Sequence, residues 1–171
     1  GAFYGPLGNY AFNRLFFTDP MRGLIVQPDG GDYIIFPVFI QDVANAIVLA
    51  LTKGASGETY NICGECLSHR AVFDIVAEEA NLHWPRFNPP GFLVINFARF
   101  LSMVAKLTRQ EPFWQLGLQS YVFYDWYVIS EKAKRELGFS PIDIREGIQK
   151  TLAWYRAGRP ETLIDLNCDR T

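Results

Sequence analysis

The chain's most reactive spacing is Cys63-Gly-Glu-Cys66, two thiols in a redox or zinc pattern, with His69 three residues on. A structural zinc site needs four ligands, and no second Cys or His pair stands at finger spacing, so reduced cysteines in a loop are the better reading and no metal is expected. The third cysteine, Cys168, leaves an odd count and argues against a disulfide framework. Gln27-Pro-Asp-Gly-Gly31 has phosphate-cradle composition, but no strand-glycine-helix order surrounds it, so it reads as a hairpin loop. Asp42 stands just before an apolar helical run, where a carboxylate accepts N–H groups of a first turn. That points to a cap rather than a catalytic acid.

These residues need elements to position them. Gly1 to Pro6 reads as the end of a buried strand running into a Gly-Pro turn, a place where α/β proteins hold ligands. Asn9 to Phe17 has helical spacing stopped by Asp19-Pro20, and Met21 to Val26 suits a strand. Tyr33 to Ile40 is β-branched and aromatic, hence extended. After Asp42, the stripe of Val43, Ile47, Ala50 and Leu51, widened by Ala44, Ala46 and Val48, predicts a mostly buried helix with Gly54 as a left-handed stop. Thr59 to Ile62 then returns as a strand, closing a βαβ unit.

Ser68 caps a helix whose Val72, Ile75, Val76 and Ala80 form its apolar side, with His69 exposed in the first turn. Phe92 to Leu107 is almost wholly apolar, its polar residues Asn96, Arg99, Ser102 and Lys106 confined to one sector. A helix sandwiched inside the domain is the leading reading, ahead of one covering a ligand pocket or resting on a membrane or partner. Membrane contact is not favoured, because the polar side carries only two cations. The aromatics Phe113, Trp114, Tyr121, Phe123, Tyr124, Trp126 and Tyr127 suit a core or a pocket. Ser130 and Gly138 bound a short helix. Asp143 with Glu146 makes a capping box for a helix striped by Ile144, Ile148, Leu152 and Tyr155, and Gly158 ends it. Residues 1–158 therefore read as one unit and 159–171 as a flexible tail.

A hydrophobic fraction of 49% in 171 residues supports one domain with a core, and a net charge of -2 gives no basic field for nucleic acid. No signal peptide opens the chain and no run of 18 apolar residues interrupts it, so a cytoplasmic protein is the simplest expectation. The GAFYGP opening, apolar and without methionine, reads as a start inside a longer chain.

Five stretches in order carry a resemblance: Tyr4-Gly-Pro6; Ile40-Gln-Asp-Val-Ala44; Gly57-Glu-Thr-Tyr-Asn-Ile62; Ser130-Glu-Lys-Ala-Lys-Arg-Glu-Leu-Gly-Phe139 with Pro141; and Leu152-Ala-Trp-Tyr155. Together they resemble the second half of an extended short-chain dehydrogenase/reductase, the NAD-dependent epimerase/dehydratase superfamily. The resemblance implies an α/β fold: the last βα elements of a Rossmann-type parallel sheet plus a mostly helical substrate-binding lobe. It also implies NAD or NADP as cofactor and a small-molecule substrate. The family's GxxGxxG loop and Tyr-xxx-Lys relay are missing from these residues, so no catalytic residue is assigned and the chain alone is expected to be inactive. A missing N-terminal Rossmann half, or a homo-oligomer, would have to cover the exposed edges. The resemblance places Gly1, Ala2 and Phe3 near the nicotinamide, and Ala2, Tyr4, Asn9, Tyr10, Asn13 and Arg14 around the substrate. Nucleotide-sugar epimerases usually carry an arginine where Ile35 stands and a His or Tyr where Phe39 stands. Both departures lean towards the dihydroflavonol reductase and hydroxysteroid dehydrogenase branch, with an apolar carbinol or ketone substrate. A non-catalytic binding module and a nucleotide-sugar enzyme fragment are the alternatives.

Overall fold

A computed structural model describes residues 2–8, 11–83, 85–108 and 119–160. Strand β1 (Ala2–Tyr4) opens the fold, followed by α1 (Ala11–Asn13), a π-helical turn (Arg14–Thr18) and α2 (Asp19–Met21) as one continuous helical path. The expected stop at Asp19-Pro20 does not occur. Proline lacks the N–H that would bond four residues back, and the wider π turn just before it absorbs that loss.

Next come β2 (Ile25–Val26), a turn at Pro28–Gly31, β3 (Ile34–Ile35), β4 (Pro37–Phe39) and α3 (Ile40–Lys53). The Tyr33 to Ile40 run is thus two strands in two sheets. Pro37 offers no N–H, and the chain changes partner there: β3 pairs antiparallel with β5 (Leu67–Ser68), while β4 pairs parallel with β1, Phe3 opposite Val38. The Gln27–Gly31 stretch is a turn but not a hairpin, because β2 pairs in parallel with β6 (Arg86–Phe87) instead of β3. Asp29, Gly30 and Gly31 all take positive φ there, which lets the Asp29 carboxylate reach forward to the Gly91 N–H at 2.7 Å.

The remaining helices are α4 (His69–Ala80), α5 (Gly91–Thr108), α6 (Gln119–Val122), α7 (Glu131–Leu137) and α8 (Ile144–Arg156). Their caps follow sequence chemistry. Ser68 Oγ accepts the Ala71 N–H at 3.1 Å, Asp143 Oδ1 accepts that of Arg145 at 2.8 Å, and Gly138 closes α7 in the left-handed region. Glu146 does not complete a capping box, since its carboxylate pairs with Lys150 at 2.7 Å. Ser130 precedes α7 without making a side-chain cap bond, and Gly54 ends α3 in extended, not left-handed, conformation.

The main core gathers Tyr4, Phe12, Phe16, Phe17, Phe39, Phe73, Ile148 and Leu152, so β1, β4, α4 and α8 share one apolar centre. A smaller cluster joins Ala46 of α3 to Ala133, Leu137 and Phe139. Two helices depart from expectation. In α3 only Asp42 and Ala46 are buried; Ile47 and Val48 face outward and Leu51 is 83% exposed. The stripe is amphipathic in sequence, but within this chain only one side of it finds a partner. Thr59 to Ile62 forms no strand, so the helix does not lie in a βαβ crossover; Tyr60 and Ile62 pack onto the smaller cluster instead. In α5, Val94 and Ala98 face the body while Phe92, Phe97, Phe100 and Met103 project outward, which contradicts the sandwiched-helix reading. Among the described residues no helix is long and apolar enough to cross a membrane. Phe113, Trp114, Cys168 and most of the expected tail lie outside the described residues.

Candidate functional site

The C-terminal end of β1 is held by an aromatic and amide knot. Tyr4 is buried with its ring stacked 5.2 Å from that of Phe12 and edge-on to Phe39 at 5.7 Å, and its hydroxyl donates to the Ile144 carbonyl at 3.4 Å. Burial, reinforced by the Asp42 and Asp143 carboxylates, pushes the Tyr4 phenol above its ordinary range, so it stays protonated. Just beyond it, Gly5 has φ +143°, and a Cβ there would meet the Ile40 side chain at 2.5 Å. Only glycine lets the chain turn so close to α3.

Asn13, 2% exposed, fixes this turn. Its Nδ2 donates to the Gly5 carbonyl at 2.6 Å and the Gly8 carbonyl at 3.0 Å, while its Oδ1 accepts the Gly5 N–H at 3.2 Å. Both backbone groups of Gly5 are thereby used within the protein.

The structure thus brings two sequence-selected residues, Tyr4 and Asn13, into one buried frame around Gly5. Ala2 is half-buried on the same side of the strand as Tyr4, and Phe3, 57% exposed, projects from the opposite side. Arg14 begins the π turn with Nε 3.8 Å from Asp19 Oδ1. Gly1, Asn9 and Tyr10 lie outside the described residues.

Asp42 is buried as the third residue of α3, too far into the helix to cap it. Its Oδ2 accepts the Ile142 N–H at 3.0 Å instead. Burial raises its carboxyl above the ordinary range, against the Ile142 bond and Lys150. It lines a cavity of about 280 Å³ together with Pro37, Phe39, Gly64, Lys134 and Ile142. Sequence reading missed this cavity, because its walls come from four separate stretches and only Asp42 gave a local signal.

His69 is 3% exposed rather than solvated. It packs edge-on against Phe16 at 5.5 Å, its Nε2 has no hydrogen-bond partner, and burial lowers its pKa to about 4. Ile35 is a buried ladder residue opposite Leu67. Among the described residues no three His, Cys, Asp or Glu side chains converge as a metal site. The chain has no GxxGxxG loop or Tyr-xxx-Lys pair, and the Gly5 backbone is already bonded.

No family model matches the chain. It is 27% identical over 159 residues to the uncharacterized protein YbjS of Escherichia coli (strain K12), covering 90% of this chain and 47% of that protein. It is 27% identical over 128 residues to the dTDP-glucose 4,6-dehydratase of Salmonella typhimurium, covering 74% and 30%. The chain thus spans less than half the length of these curated relatives. Among solved structures it superposes on gox2253 with a TM-score of 0.68 at 22% identity, covering 92% of this chain and 47% of that one. For the UDP-glucose 4-epimerase of Thermotoga maritima solved with UDP-glucose the values are 0.66, 20%, 91% and 44%. For the Bordetella bronchiseptica enzyme WbmF in complex with NADH they are 0.63, 22%, 92% and 44%. With its parallel β1–β4 pair and surrounding helices, the chain has the α/β fold of the C-terminal part of a Rossmann-type extended short-chain dehydrogenase/reductase.

Proposed function

We propose that this chain is the substrate-binding portion of an NAD(P)-dependent oxidoreductase or epimerase that acts on a carbinol or ketone of an apolar, steroid- or flavonoid-like molecule. The observation that carries the reading is the uncovered apolar surface of the parallel unit. Phe3 on β1 and Ile47, Val48 and Leu51 on α3 are exposed in an α/β element whose fold relatives are about twice as long. Large exposed apolar surface marks a place where another body packs. A Rossmann half carrying the dinucleotide loop and the proton relay is the occupant that the fold supports.

In this arrangement Ala2 and Phe3 approach the nicotinamide, Tyr4 and Asn13 set the turn behind them, and Arg14 faces the substrate. Bound NAD(P) would supply hydride transfer, and the chain's own residues position the acceptor and exclude water. The apolar preference rests on Ile35 and Phe39. A diphosphate needs fixed cationic donors, and both positions are buried apolar side chains. The UDP-glucose and dTDP-glucose named for two similar proteins favour a nucleotide sugar as the second reading.

The test joins this chain to a Rossmann half and follows nicotinamide absorbance for keto-steroids and flavanonols, and product chromatography for UDP- and dTDP-sugars, whose epimerisation or dehydration returns the cofactor unchanged. Turnover of keto-steroids or flavanonols is expected. Turnover of UDP- or dTDP-sugars in their place overturns the substrate class, and activity with neither panel supports a non-catalytic binding module.

A further inference from the structure

Cys63 and Cys66 stand outside the candidate site, yet the structure joins them. Both thiols donate to one acceptor, the carbonyl oxygen of Val128, each at 3.3 Å. Two sulfurs on one oxygen lie less than about 7 Å apart, although residues three apart in an extended chain point to opposite sides. Gly64 lies between them. Its N–H donates to the Pro37 carbonyl at 3.1 Å, and a Cβ there would strike that same oxygen. Cys63 is buried and Cys66 half-buried, so only one of the two is open to a reagent. Residues 61–66 have no regular secondary structure, which leaves the loop free to contract when sulfurs join.

We propose that Cys63 and Cys66 form a reversible disulfide, a redox modification site whose co-substrate is a small-molecule disulfide of the glutathione type. Cys66, as thiolate, attacks one sulfur of the small disulfide and expels one small thiolate, leaving a mixed disulfide on Cys66. The Cys63 sulfur then attacks Cys66 Sγ and expels the second small thiolate. Two protein thiols are oxidised, one small disulfide is reduced to two thiols, and the two cysteine protons pass to the departing thiolates. Burial holds the Cys63 thiol above its ordinary pKa, which makes it the slower, resolving partner. Oxidation removes both S–H donors from Val128, two residues before Ser130 at the start of α7, and displaces Gly64 from the wall of the Asp42 cavity. The site thus links thiol state to the packing of α7 and the shape of that cavity.

The test equilibrates the chain carrying Cys168→Ser with reduced and oxidised glutathione at set ratios, traps free thiols by alkylation, and maps peptides by mass spectrometry. The expected product is a Cys63–Cys66 disulfide, two hydrogens lighter than the reduced protein, with no retained glutathione. Cys63→Ser should instead keep glutathione on Cys66, and Cys66→Ser should leave Cys63 largely unmodified. A stable glutathione adduct on Cys66 in the protein that retains both cysteines, or two free thiols at the most oxidising ratio, overturns the proposal.

Discussion

The carboxylate of Asp42 accepts the amide N–H of Ile142 at 3.0 Å, joining residues 100 positions apart in the chain. This bond ties the first turn of α3 to the segment that enters α8, and Tyr4 reaches the same segment through the Ile144 carbonyl. The parallel β1–β4 pair is thereby tied to the start of α8.

Replacing Asp42 with Ala leaves the Ile142 N–H without its partner, a loss of about 1–3 kcal/mol. Because burial raises the Asp42 pKa, the native state binds a proton more readily than the unfolded chain. Ionisation then costs native stability as pH rises from the ordinary carboxylate value through the raised one. The difference between parent and Asp42→Ala should therefore narrow across that window, as read by urea unfolding at successive pH values.

Asn13→Ala removes three hydrogen bonds at the Gly5–Gly8 turn and takes the Asn13 partner from the Gly5 N–H, while the Gly5 and Gly8 carbonyls keep the longer 3.4 Å bonds from the Gly8 N–H and the Tyr155 hydroxyl. A loss of about 1–3 kcal/mol is expected, the cost of one orphaned buried group. Asn13→Asp should recover only part of it, because a carboxylate accepts from Gly5 but cannot donate to either carbonyl. Denaturant midpoints of the two variants check this.

His69 is neutral in the fold and titrates at about 4, below its ordinary value near 6.5. Between these values the unfolded chain binds the extra proton, so this group makes stability fall as pH drops from 6.5 towards 4. The slope approaches about 1.4 kcal/mol per pH unit and the total about 3 kcal/mol. His69→Phe, which keeps a ring against Phe16, should lose that acid sensitivity in unfolding curves measured at pH 4 and pH 7.

Gly147 on α8 faces the Tyr4 hydroxyl so closely that a Cβ would overlap it. Gly147→Ala should cost about 1–3 kcal/mol by overpacking, despite the better helix propensity of alanine. Combining it with Tyr4→Phe, which removes the clashing oxygen, should return part of that loss in thermal unfolding.

Local chemistry was readable in part, with Ser130, Gly54 and Glu146 as the exceptions, and packing between distant segments was not. Ser68, Asp143 and Gly138 act within a few residues of themselves, and their roles followed from residue type. Of the α8 stripe of Ile144, Ile148, Leu152 and Tyr155, the last three are buried and Ile144 is partly buried against the same core, because its partner surface lies in this chain. Asp42 failed as a cap because its partner is 100 residues away, a contact that no local pattern encodes. His69 looked solvated because first-turn position says nothing of Phe16 packing over it. The α3 and α5 stripes gave the helices but not their burial, since hydrophobic periodicity marks which side seeks a partner and not whether this chain supplies one. In the candidate site, the strand end and its Gly-Pro turn were legible, whereas the use of Asn13 to lock Gly5 depended on a three-dimensional reach.

In the function proposed above, these residues position a substrate while a Rossmann half supplies the cofactor. Nicotinamide binding, followed by NADH and NADPH fluorescence titration, tests it most directly when the 171-residue chain is compared with the product that includes the sequence upstream of Gly1. No saturable binding is expected of the chain alone, and saturable binding with hydride transfer is expected of the longer protein. Loss of both is expected when Ile47→Glu and Leu51→Glu break the α3 surface, at less than about 1 kcal/mol to the chain's own stability. Saturable NAD(P)H binding by the 171 residues alone, or a longer protein indifferent to those two changes, would contradict it.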